Sequence, residues 1–449
     1  MITKGRMRTS RSEDLRRSVR RVWADSRTCR SGDLFVALTG PRFDGHRFVA
    51  DACKKGAIAA LVRQGSSVLE GVPIVQVDDT LRAFQDLAAA HRRRFAIPVV
   101  AVSGSNGKTT TKEMIGRVLA ERFTTLVTAG NYNNHIGVPQ TLFRLTKRHQ
   151  AAVIEMGISE QGEMSRLCEI AAPTHGVLTN IGPTHLATLG TIETVARAKG
   201  ELLKSLPDGG TAILNADDPF FERLSSWANG PILSFGFSRR ATVRALRMQS
   251  KNPSSSTVCV GLSGRRQSFT LHLNVAGRHN IANALAAVAT GTALGVGVAR
   301  IQTGLARYRP AAMRSQVRHR RGATILNDCY NANPASLSAA LEWLAEVKGA
   351  GRGFAVLGEM RELGEQEAAV HREMGRVLAS RADYLMTMGR LGAELGAGAL
   401  EAGMMADHVV VAKDHGELAG RLRTLLRKGD VVLLKGSRAA RMEHVLEKL

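Results

Sequence analysis

One short loop holds the residues whose types and spacing are best suited to chemistry. Residues 104–110 read Gly-Ser-Asn-Gly-Lys-Thr-Thr. Glycines let successive N–H groups converge on phosphate oxygens, Lys108 can bridge terminal phosphates, and the Thr109 hydroxyl can bind the accompanying Mg²⁺. The common phosphate loop, G-x-x-x-x-G-K-[ST], would need glycine at Val102, so this loop is shorter than usual. The motif predicts a nucleotide site, and a structural glycine turn is the alternative.

Other polar residues follow apolar runs that are typical of strands. Glu155 ends the run at 151–154, and an acid there can hold the metal of a nucleotide directly or through water. His185 follows the run at 175–179, although a loop histidine is more often a hydrogen-bonding partner than a ligand. Lys199 lies in a helical stretch, and nothing in its own surroundings distinguishes it from a solvated charge.

A second polar cluster lies later in the chain, at residues 326–334, which read Leu-Asn-Asp-Cys-Tyr-Asn-Ala-Asn-Pro. Asp328 could accept hydrogen bonds from ribose hydroxyls, and Asn331 and Asn333 can donate to and accept from a peptide. An Asx-rich capping turn for a helix from Ser336 is the alternative. Residues 435–438, Lys-Gly-Ser-Arg, supply cations and a hydroxyl suited to a carboxylate.

The elements that must position these residues alternate between strands and helices. An apolar run at 97–103 predicts a strand before the loop, and apolar residues at helical spacing after it predict a helix: Met114, Ile115, Val118, Leu119 and Phe123. Polar residues at the carboxyl ends of successive strands are typical of an open parallel sheet with a site at that edge.

The sequence thus predicts an α/β fold with three domains. We expect a small N-terminal α/β domain over residues 1–95, beginning with a basic, frayed or helical lead-in to about residue 22. A central P-loop-type domain over 96–312 has a mostly parallel sheet with helices on both faces and an antiparallel flank at 231–275. A C-terminal domain over 313–449 has a doubly wound, Rossmann-like sheet.

Composition limits the class of protein. The 449 residues carry a net charge of +23, which fits a solvated basic surface, attraction of phosphorylated substrates, or nucleic-acid binding. Aromatic residues make up only 4%, so no stacking platform for nucleic acid is evident. The five cysteines are scattered without C-x-x-C spacing, which favours a reducing compartment over disulfides or zinc. Since no long apolar run or signal peptide is present, we predict a cytoplasmic protein without a membrane span.

In this order, the motifs resemble the Mur ligase family over nearly the whole chain. Residues 104–110 resemble the shortened phosphate loop of the family, with serine where threonine is commoner. Residues 25–27, 32–38 and 43–46 are similar to its UDP-binding pattern, and 131–137 to its muramoyl-contacting segment. Residues 328–334, 356–364 and 434–438 resemble the member that adds D-alanyl-D-alanine, and the D-N-P-R motif of the diaminopimelate- or lysine-adding member is not found there.

The resemblance implies roles for individual residues. Lys108, His185 and Lys199 would be catalytic, and Lys199 would be carbamylated into an anionic metal ligand. Two Mg²⁺ ions would be held by Thr109, Glu155, His185 and Lys199. ATP would be bound by Gly104, Ser105, Asn106, Gly107, Lys108, Thr109 and Thr110, with Asn283 at adenine, Arg314 at phosphate and Asp328 at ribose. The substrates would be bound by Ser26, Arg27, Asp44, His46, Asn133, Asn134, Tyr330, Asn331, Asn333, Lys435 and Ser437.

The implied reaction is ATP-dependent amide formation in peptidoglycan precursor synthesis. The terminal carboxylate of UDP-N-acetylmuramoyl-tripeptide would take the γ-phosphate, and the amine of D-alanyl-D-alanine would attack the resulting acyl phosphate. The third residue of the tripeptide, diaminopimelate or lysine, stays open, and we expect a monomer without a nucleic-acid partner. The alternatives are a diaminopimelate- or lysine-adding ligase, a folylpolyglutamate synthase, and a basic P-loop ATPase acting on nucleic acid.

Overall fold

The structure is a computed structural model that describes residues 19–41, 43–66, 73–264 and 267–449. The chain divides into two compact units. The first contains the described residues up to Ile97 together with Thr128–His149 and Arg166–Ala172, and the second contains the remainder. In the described part of the chain, no helix combines the length and the apolar character needed to cross a bilayer.

The first unit is built on a four-stranded parallel sheet in the order β1-β2-β5-β6. Strand β2 is buried along its length, and Phe84 of helix α2 packs on one face of the sheet. The elements up to residue 97 are β1 (Arg21–Trp23), β2 (Asp33–Val36), β3 (Thr39–Gly40), β4 (Phe43–Asp44), α1 (Val49–Lys54), β5 (Ala57–Arg63), β6 (Ile74–Val77) and α2 (Thr80–Arg92), with 3₁₀ helices at Ser26–Thr28 and Gly45–Phe48.

The basic N-terminal segment, predicted to extend to about residue 22, ends in a strand. Residues 1–18 lie outside the described residues, but Arg21 begins β1 and pairs with Asp33 of β2. The Arg21 guanidinium also forms an ion pair with the buried Asp33 carboxylate, at 2.6 Å. The expectation of a frayed or helical segment is therefore wrong at this point, because pairing with the edge of the sheet satisfies both the backbone and the charge.

The larger sheet of the second unit has nine strands in the order β15-β14-β13-β12-β11-β10-β7-β9-β8. Fully buried Val100 and Val102 of β7 pack against Met114 and Ile115 of α3. The elements are β7 (Val99–Ser103), α3 (Lys108–Ala120), β8 (Thr125–Val127), α4 (Gly137–Leu142, first unit), β9 (Ala151–Glu155), α5 (Glu163–Ala171, first unit from Arg166), β10 (His175–Leu178), α6 (Leu186–Leu189), α7 (Ile192–Lys204), β11 (Thr211–Asn215), α8 (Phe221–Ser225), β12 (Ile232–Gly236), β13 (Val243–Asn252), β14 (Ser255–Leu262), β15 (Phe269–Leu273), α9 (Arg278–Ala293) and α10 (Val298–Ala306).

The predicted antiparallel flank is smaller than expected. Strand β12 runs parallel to β11, and the start of β13 runs parallel to β12. Within the described part of this sheet, antiparallel pairing is confined to β13, β14 and β15. The reason is that helix α8 separates β11 from β12, and a helical crossover returns the chain in the same direction.

The smaller sheet of the second unit has the order β16-β17-β21-β18-β19-β20, and only β16 and β17 are antiparallel. Apolar clusters cover both faces, as a doubly wound sheet requires. The predicted α/β class, with parallel sheets covered by helices, is confirmed. The elements are β16 (Gln316–Arg320), β17 (Ala323–Asn327), α11 (Pro334–Lys348), β18 (Gly353–Leu357), α12 (Glu367–Ala379), β19 (Tyr384–Met388), α13 (Gly389–Glu401), β20 (Val409–Ala412), α14 (His415–Leu425), β21 (Val431–Lys435) and α15 (Glu443–Lys448), with 3₁₀ helices at Gly364–Gln366, Ala406–His408 and Arg438–Ala440.

Candidate active site

The phosphate-loop motif begins directly after β7 and continues into the first residues of α3, which starts at Lys108. Gly104 and Gly107 have φ of +138° and +79°, which favour glycine. A Cβ at Gly104 would overlap Thr179 Oγ1, and one at Gly107 would overlap Asn283 Oδ1. Both glycines are therefore required for space as well as conformation, and the loop delivers the N-terminus of α3 to the carboxyl end of the sheet.

The loop is held from the neighbouring strand end, after β10. Ser105 N donates to Asn180 O at 2.8 Å, and Asn106 N donates to Asn180 Oδ1 at 2.9 Å. The Ser105 hydroxyl donates to Gly182 O at 2.9 Å. These bonds fix the loop before any ligand arrives. The first turn of α3, whose N–H groups have no partner within the helix, provides the anion-binding end.

The Lys108 ammonium folds back over the loop. Its Nζ donates to Gly104 O at 2.8 Å and to Ser105 O at 3.1 Å. Burial lowers the pKa of Lys108, while the charge of Glu155 opposes that shift. Anionic phosphate oxygens would raise the pKa of Lys108 again, since an opposite charge favours the ammonium.

Thr109, Glu155 and Lys112 form a buried group beside the loop. Glu155 ends β9, directly beside β7, and its Oε1 accepts from Thr109 Oγ1 at 3.1 Å. Its Oε2 lies 3.4 Å from Nζ of Lys112, a side chain with no exposed surface. Sequence reasoning missed Lys112, although its position four residues after Lys108 places the two lysines on one face of α3.

Lys199 is not a surface charge. Its side chain is fully buried in α7, and among the described residues its Nζ has no hydrogen-bond partner. Burial, reinforced by the positive charge of Lys108, lowers the pKa of Lys199 well below its usual value. Both effects favour the uncharged, nucleophilic form of this amine, which the sequence pattern could not show.

His185 contacts a residue that sequence reasoning did not assign. Its Nδ1 lies 2.6 Å from Oε2 of Glu362, in the loop that follows β18. The hydrogen bond to His185 lowers the pKa of the Glu362 carboxyl, against the effect of partial burial. Glu362 belongs to the 356–364 motif, which contributed to the family resemblance, but the motif did not indicate a function for this residue.

The predicted adenine, phosphate and ribose residues lie at two places on the second unit. Asn283 of α9 accepts from Thr111 Oγ1 at 3.1 Å and packs against Gly107. The Arg314 guanidinium carbon lies 3.7 Å from the centre of the Tyr330 ring. Arg314 is flanked by Met313 and Ser315, both with positive φ, so this connection between the two sheets has an unusual backbone.

Asp328 and Lys435 form an ion pair at 2.5 Å, at the ends of the adjacent strands β17 and β21. The other oxygen of Asp328 accepts from Ser315 N at 2.9 Å, and Lys435 Nζ also donates to Asn331 O at 3.0 Å. The structure thus joins residues that the sequence assigned separately to ribose and dipeptide. Nearby, Ser437 Oγ is buried and has no hydrogen-bond partner within the described residues.

Asn333 has the capping role that the sequence offered as the alternative, and it also contacts the phosphate loop. It caps α11, because its Oδ1 accepts from Ser336 N at 2.9 Å, so the predicted capping turn is present. Its Nδ2 also donates to Asn106 Oδ1 in the phosphate loop, at 2.8 Å. The two sheets of the second unit are thereby joined directly beside the nucleotide motif.

The predicted UDP and muramoyl residues belong to the first unit. Arg27 forms a two-pronged ion pair with Asp25, at 2.9 and 2.8 Å. Asp44 lies 2.6 Å from Nδ1 of His46, whose Nε2 accepts from Arg63 N at 3.0 Å. Ser26 begins a 3₁₀ helix, and Asn134 Oδ1 accepts from the N–H groups of residues 136 and 137, next to Asn133.

A metal at the phosphate loop would depend on more than acidic side chains. Within the described ranges, no three His, Cys, Asp or Glu side chains cluster in a way that could hold an ion. The group that fits is the hydroxyl–carboxylate pair of Thr109 and Glu155, since the buried amine of Lys199 offers no oxygen atom without modification. A Mg²⁺ ion takes oxygen ligands and commonly relies on phosphate oxygens and water for the rest.

A parallel sheet with a shortened phosphate loop at its carboxyl edge, next to an acid and a second sheet, defines a P-loop-type nucleotide-binding α/β protein. Three family models match the chain: "Mur ligase family, catalytic domain" at residues 18–92, "Mur ligase middle domain" at 102–291, and "Mur ligase, glutamate ligase domain" at 313–438. The chain belongs to the Mur ligase family.

Full-length relatives agree with this assignment. The UDP-N-acetylmuramoyl-tripeptide–D-alanyl-D-alanine ligase of Bacillus subtilis is 35% identical over 431 residues, which cover 95% of this chain and 92% of the relative. MurF from Acinetobacter baumannii has a TM-score of 0.88 and 33% identity over 96% of this chain and 93% of its own. MurF ligase from Thermotoga maritima, in complex with ADP, has a TM-score of 0.86 and 30% identity over 97% of each chain.

Proposed function

We propose that this protein is an ATP-dependent ligase that adds D-alanyl-D-alanine to UDP-N-acetylmuramoyl-tripeptide in peptidoglycan precursor synthesis. The observation that carries the proposal is the 35% identity to the Bacillus subtilis ligase over 431 residues. The Asn106–Asn333 hydrogen bond of 2.8 Å is consistent with it, because it joins the phosphate loop to the segment proposed to bind the dipeptide. Similarity to the Bacillus subtilis ligase over 95% of the chain supports the same substrates.

The proposed reaction has two steps. The carboxylate of the tripeptide attacks the γ-phosphorus of ATP, which forms an acyl phosphate and releases ADP. The neutral amine of D-alanyl-D-alanine then attacks the acyl carbon, the C–O bond to phosphate breaks, and the amine loses its proton. Because the first step brings two anions together, it needs preorganised positive charge, which Lys108 and the N-terminus of α3 supply.

We propose that ATP binds along Gly104, Ser105, Asn106, Gly107, Lys108, Thr109 and Thr110, with Asn283 near adenine and Arg314 and Asp328 near phosphate and ribose. The positions of Asn283 against Gly107 and of Asp328 beside Ser315 support these assignments. Two Mg²⁺ ions would be held by Thr109, Glu155, His185 and Lys199, and would supply charge neutralisation for the phosphates and the carboxylate.

Carbamylation of Lys199 is part of the proposal. An uncharged buried amine can add CO₂, which forms an N–C bond and releases a proton, so that the side chain becomes an anion. The full burial of Lys199 and the absence of a hydrogen-bond partner for its Nζ among the described residues support this modification. The carbamate oxygens would provide acidic ligands where the described side chains form no metal-binding cluster.

Two groups of residues are candidates for substrate recognition. We propose that Ser26, Arg27, Asp44, His46, Asn133 and Asn134 bind the UDP-muramoyl end, and that Tyr330, Asn331, Asn333, Lys435 and Ser437 bind the dipeptide. The buried Ser437 hydroxyl supports the second group. The domain boundaries at 1–95, 96–312 and 313–449 remain part of the proposal. The cytoplasmic location and the monomeric state are part of the proposal too, and the location is supported by five described cysteines that form no disulfide bond with one another.

A coupled assay tests the function. ADP release is measured with ATP, Mg²⁺ and UDP-muramoyl tripeptides ending in diaminopimelate or in lysine, with and without D-alanyl-D-alanine. We expect sustained ADP release only when tripeptide and dipeptide are both present, because without the dipeptide the acyl phosphate stays on the enzyme after one turnover. Further reactions replace the dipeptide with free diaminopimelate, lysine or glutamate, or add nucleic acid. ADP release that depends on one of these additions would overturn the proposal in favour of the corresponding alternative.

A further inference from the structure

The contact between His185 and Glu362 connects two parts of the second unit that are far apart in sequence. His185 follows β10 of the nine-stranded sheet, and Glu362 follows β18 of the six-stranded sheet. Their side chains approach to 2.6 Å, between Nδ1 and Oε2. Glu362 has no role in the function proposed above, although it lies in a motif that contributed to the resemblance.

The backbone at both ends of this contact is unusual. His185 has a φ of +54° and Glu362 a φ of +68°, a region that side-chain-bearing residues adopt at a cost. Each conformation is held from its own side. His185 O accepts from Leu189 N at 2.8 Å, and the Glu362 loop is held where Met360 N donates to the buried His371. The approach of the two side chains is thus built into both loops.

The bond at Nδ1 determines what the other ring nitrogen can do. When Nδ1 carries the proton and donates it to a carboxylate, Nε2 keeps its lone pair and can act as a ligand. An unsupported neutral imidazole exchanges its proton between the two nitrogens. A carboxylate on Nδ1 removes that ambiguity, and it also fixes the rotation of the ring.

We propose that Glu362 is a positioning residue that holds His185 in the Nδ1–H form and orients its Nε2 for the site at the phosphate loop. This proposal rests on the proposed function, because it assigns His185 to the reacting groups. The position of the proton on the His185 ring, beside the nine-stranded sheet, would then depend on a loop of the six-stranded sheet. The positive charge of Lys108 also attracts the Glu362 carboxylate and helps to lower its pKa.

The test compares Glu362→Gln and Glu362→Ala with Glu365→Gln, a matched control. Glu365 is an exposed acid three residues further along the same loop. The Glu362 side chain is 58% exposed, so its replacement leaves the core intact. Circular dichroism and thermal melting confirm the fold of each variant, and Glu362→Asp provides a further variant that keeps the charge at a shorter reach.

The first readout is ¹⁵N NMR of the histidine rings in the protein without ATP or Mg²⁺, at a pH where neutral imidazole prevails. The chain has 13 histidines, and the spectrum of His185→Gln identifies the signals of interest. We expect His185 to be Nδ1–H in the unmodified protein and in Glu365→Gln. In Glu362→Ala we expect the proton to redistribute toward Nε2. An unchanged His185 pattern in Glu362→Ala would overturn the proposal.

The second readout is the split between kcat and KM. We expect kcat to fall by about tenfold to a hundredfold in Glu362→Ala, the usual effect of removing a group that orients a histidine ligand. KM for the UDP substrate should stay near its original value, and Glu365→Gln should behave like the unmodified protein. Equal kinetics in Glu362→Ala and Glu365→Gln would contradict the proposal. If the unmodified protein forms no ADP with its proposed substrates, the proposed function is wrong. The NMR measurement then still tests whether Glu362 determines the protonated nitrogen of His185.

Discussion

Asn333 Nδ2 donates to Asn106 Oδ1 at 2.8 Å, while Asn333 Oδ1 caps the first turn of α11. One amide therefore stabilises a helix of the six-stranded sheet and contacts the phosphate loop of the nine-stranded sheet. Any shift of α11 moves the group that touches the loop. This gives a direct structural link between the segment proposed to bind the dipeptide and the segment proposed to bind ATP.

Replacing Asn333 separates these two effects. Asn333→Ala should lose both the cap, worth about 1 kcal/mol of stability, and the contact with Asn106. Asn333→Ser should keep the cap, since serine is a good N-cap residue, but is too short to reach Asn106. We expect ligase activity to fall in both variants and the free energy of unfolding to fall mainly in Asn333→Ala. Full activity in Asn333→Ser would show that the contact with the loop has no role in catalysis.

Lys108→Ala should remove ligation with little change in the fold. We expect a fall in kcat on the order of a hundredfold or more, because a preorganised positive charge is lost where negative charge develops. Phosphate or ADP release measures the rate, and far-UV circular dichroism checks the fold. Lys147→Ala, at an exposed lysine, is the control and should keep its activity. Normal turnover in Lys108→Ala would exclude the proposed role of the loop.

Lys199→Ala should lose activity that a small carboxylate, such as acetate or formate, partly restores. The buried site that the lysine leaves can admit an anion in place of the carbamate. In the unmodified protein, ¹³C-labelled bicarbonate should produce a carbamate signal in the NMR spectrum, and Lys199→Ala should lack it. Lys204→Ala, exposed at the end of the same helix, is the control. Absence of the signal from the unmodified protein would rule out carbamylation.

His371 should make stability depend on pH. It is fully buried; its Nε2 accepts from Met360 N at 2.9 Å and its Nδ1 donates to Glu367 O, so both bonds need the neutral ring. Burial lowers the pKa of His371 below 6.5. Between the two pKa values the unfolded chain binds more protons, so stability is complete above pH 6.5 and is lost as the pH falls through and below that value.

Urea unfolding at pH 7.5 and 5.5 tests this expectation. The free energy of unfolding should fall on acidification in the unmodified protein. His371→Gln should be less stable at pH 7.5 by about 1–3 kcal/mol, because a buried hydrogen-bonding partner is lost, and should lose less on acidification. His319→Gln, at an exposed position, should follow the unmodified protein. The same loss on acidification in His371→Gln and the unmodified protein would contradict the assignment.

Much of the fold could be predicted because its signals are local. The strand before the phosphate loop, the glycines within it and the helix from Lys108 all follow from spacing over a few residues, and the structure has them at those positions. The direction of β12 could not be predicted, because it depends on which neighbour the strand joins after a crossover. The same holds for Arg21, whose strand forms only by pairing with β2.

By itself, the sequence determined the class of fold and the position of the nucleotide motif, because periodicity and glycine spacing constrain the backbone locally. The tertiary structure alone decided the chemistry of the side chains around that motif. It buries Lys199, sets Lys112 against Glu155, pairs Asp328 with Lys435, and brings Glu362 to His185. Burial and charge proximity arise from packing between segments distant in sequence, so no local pattern encodes them.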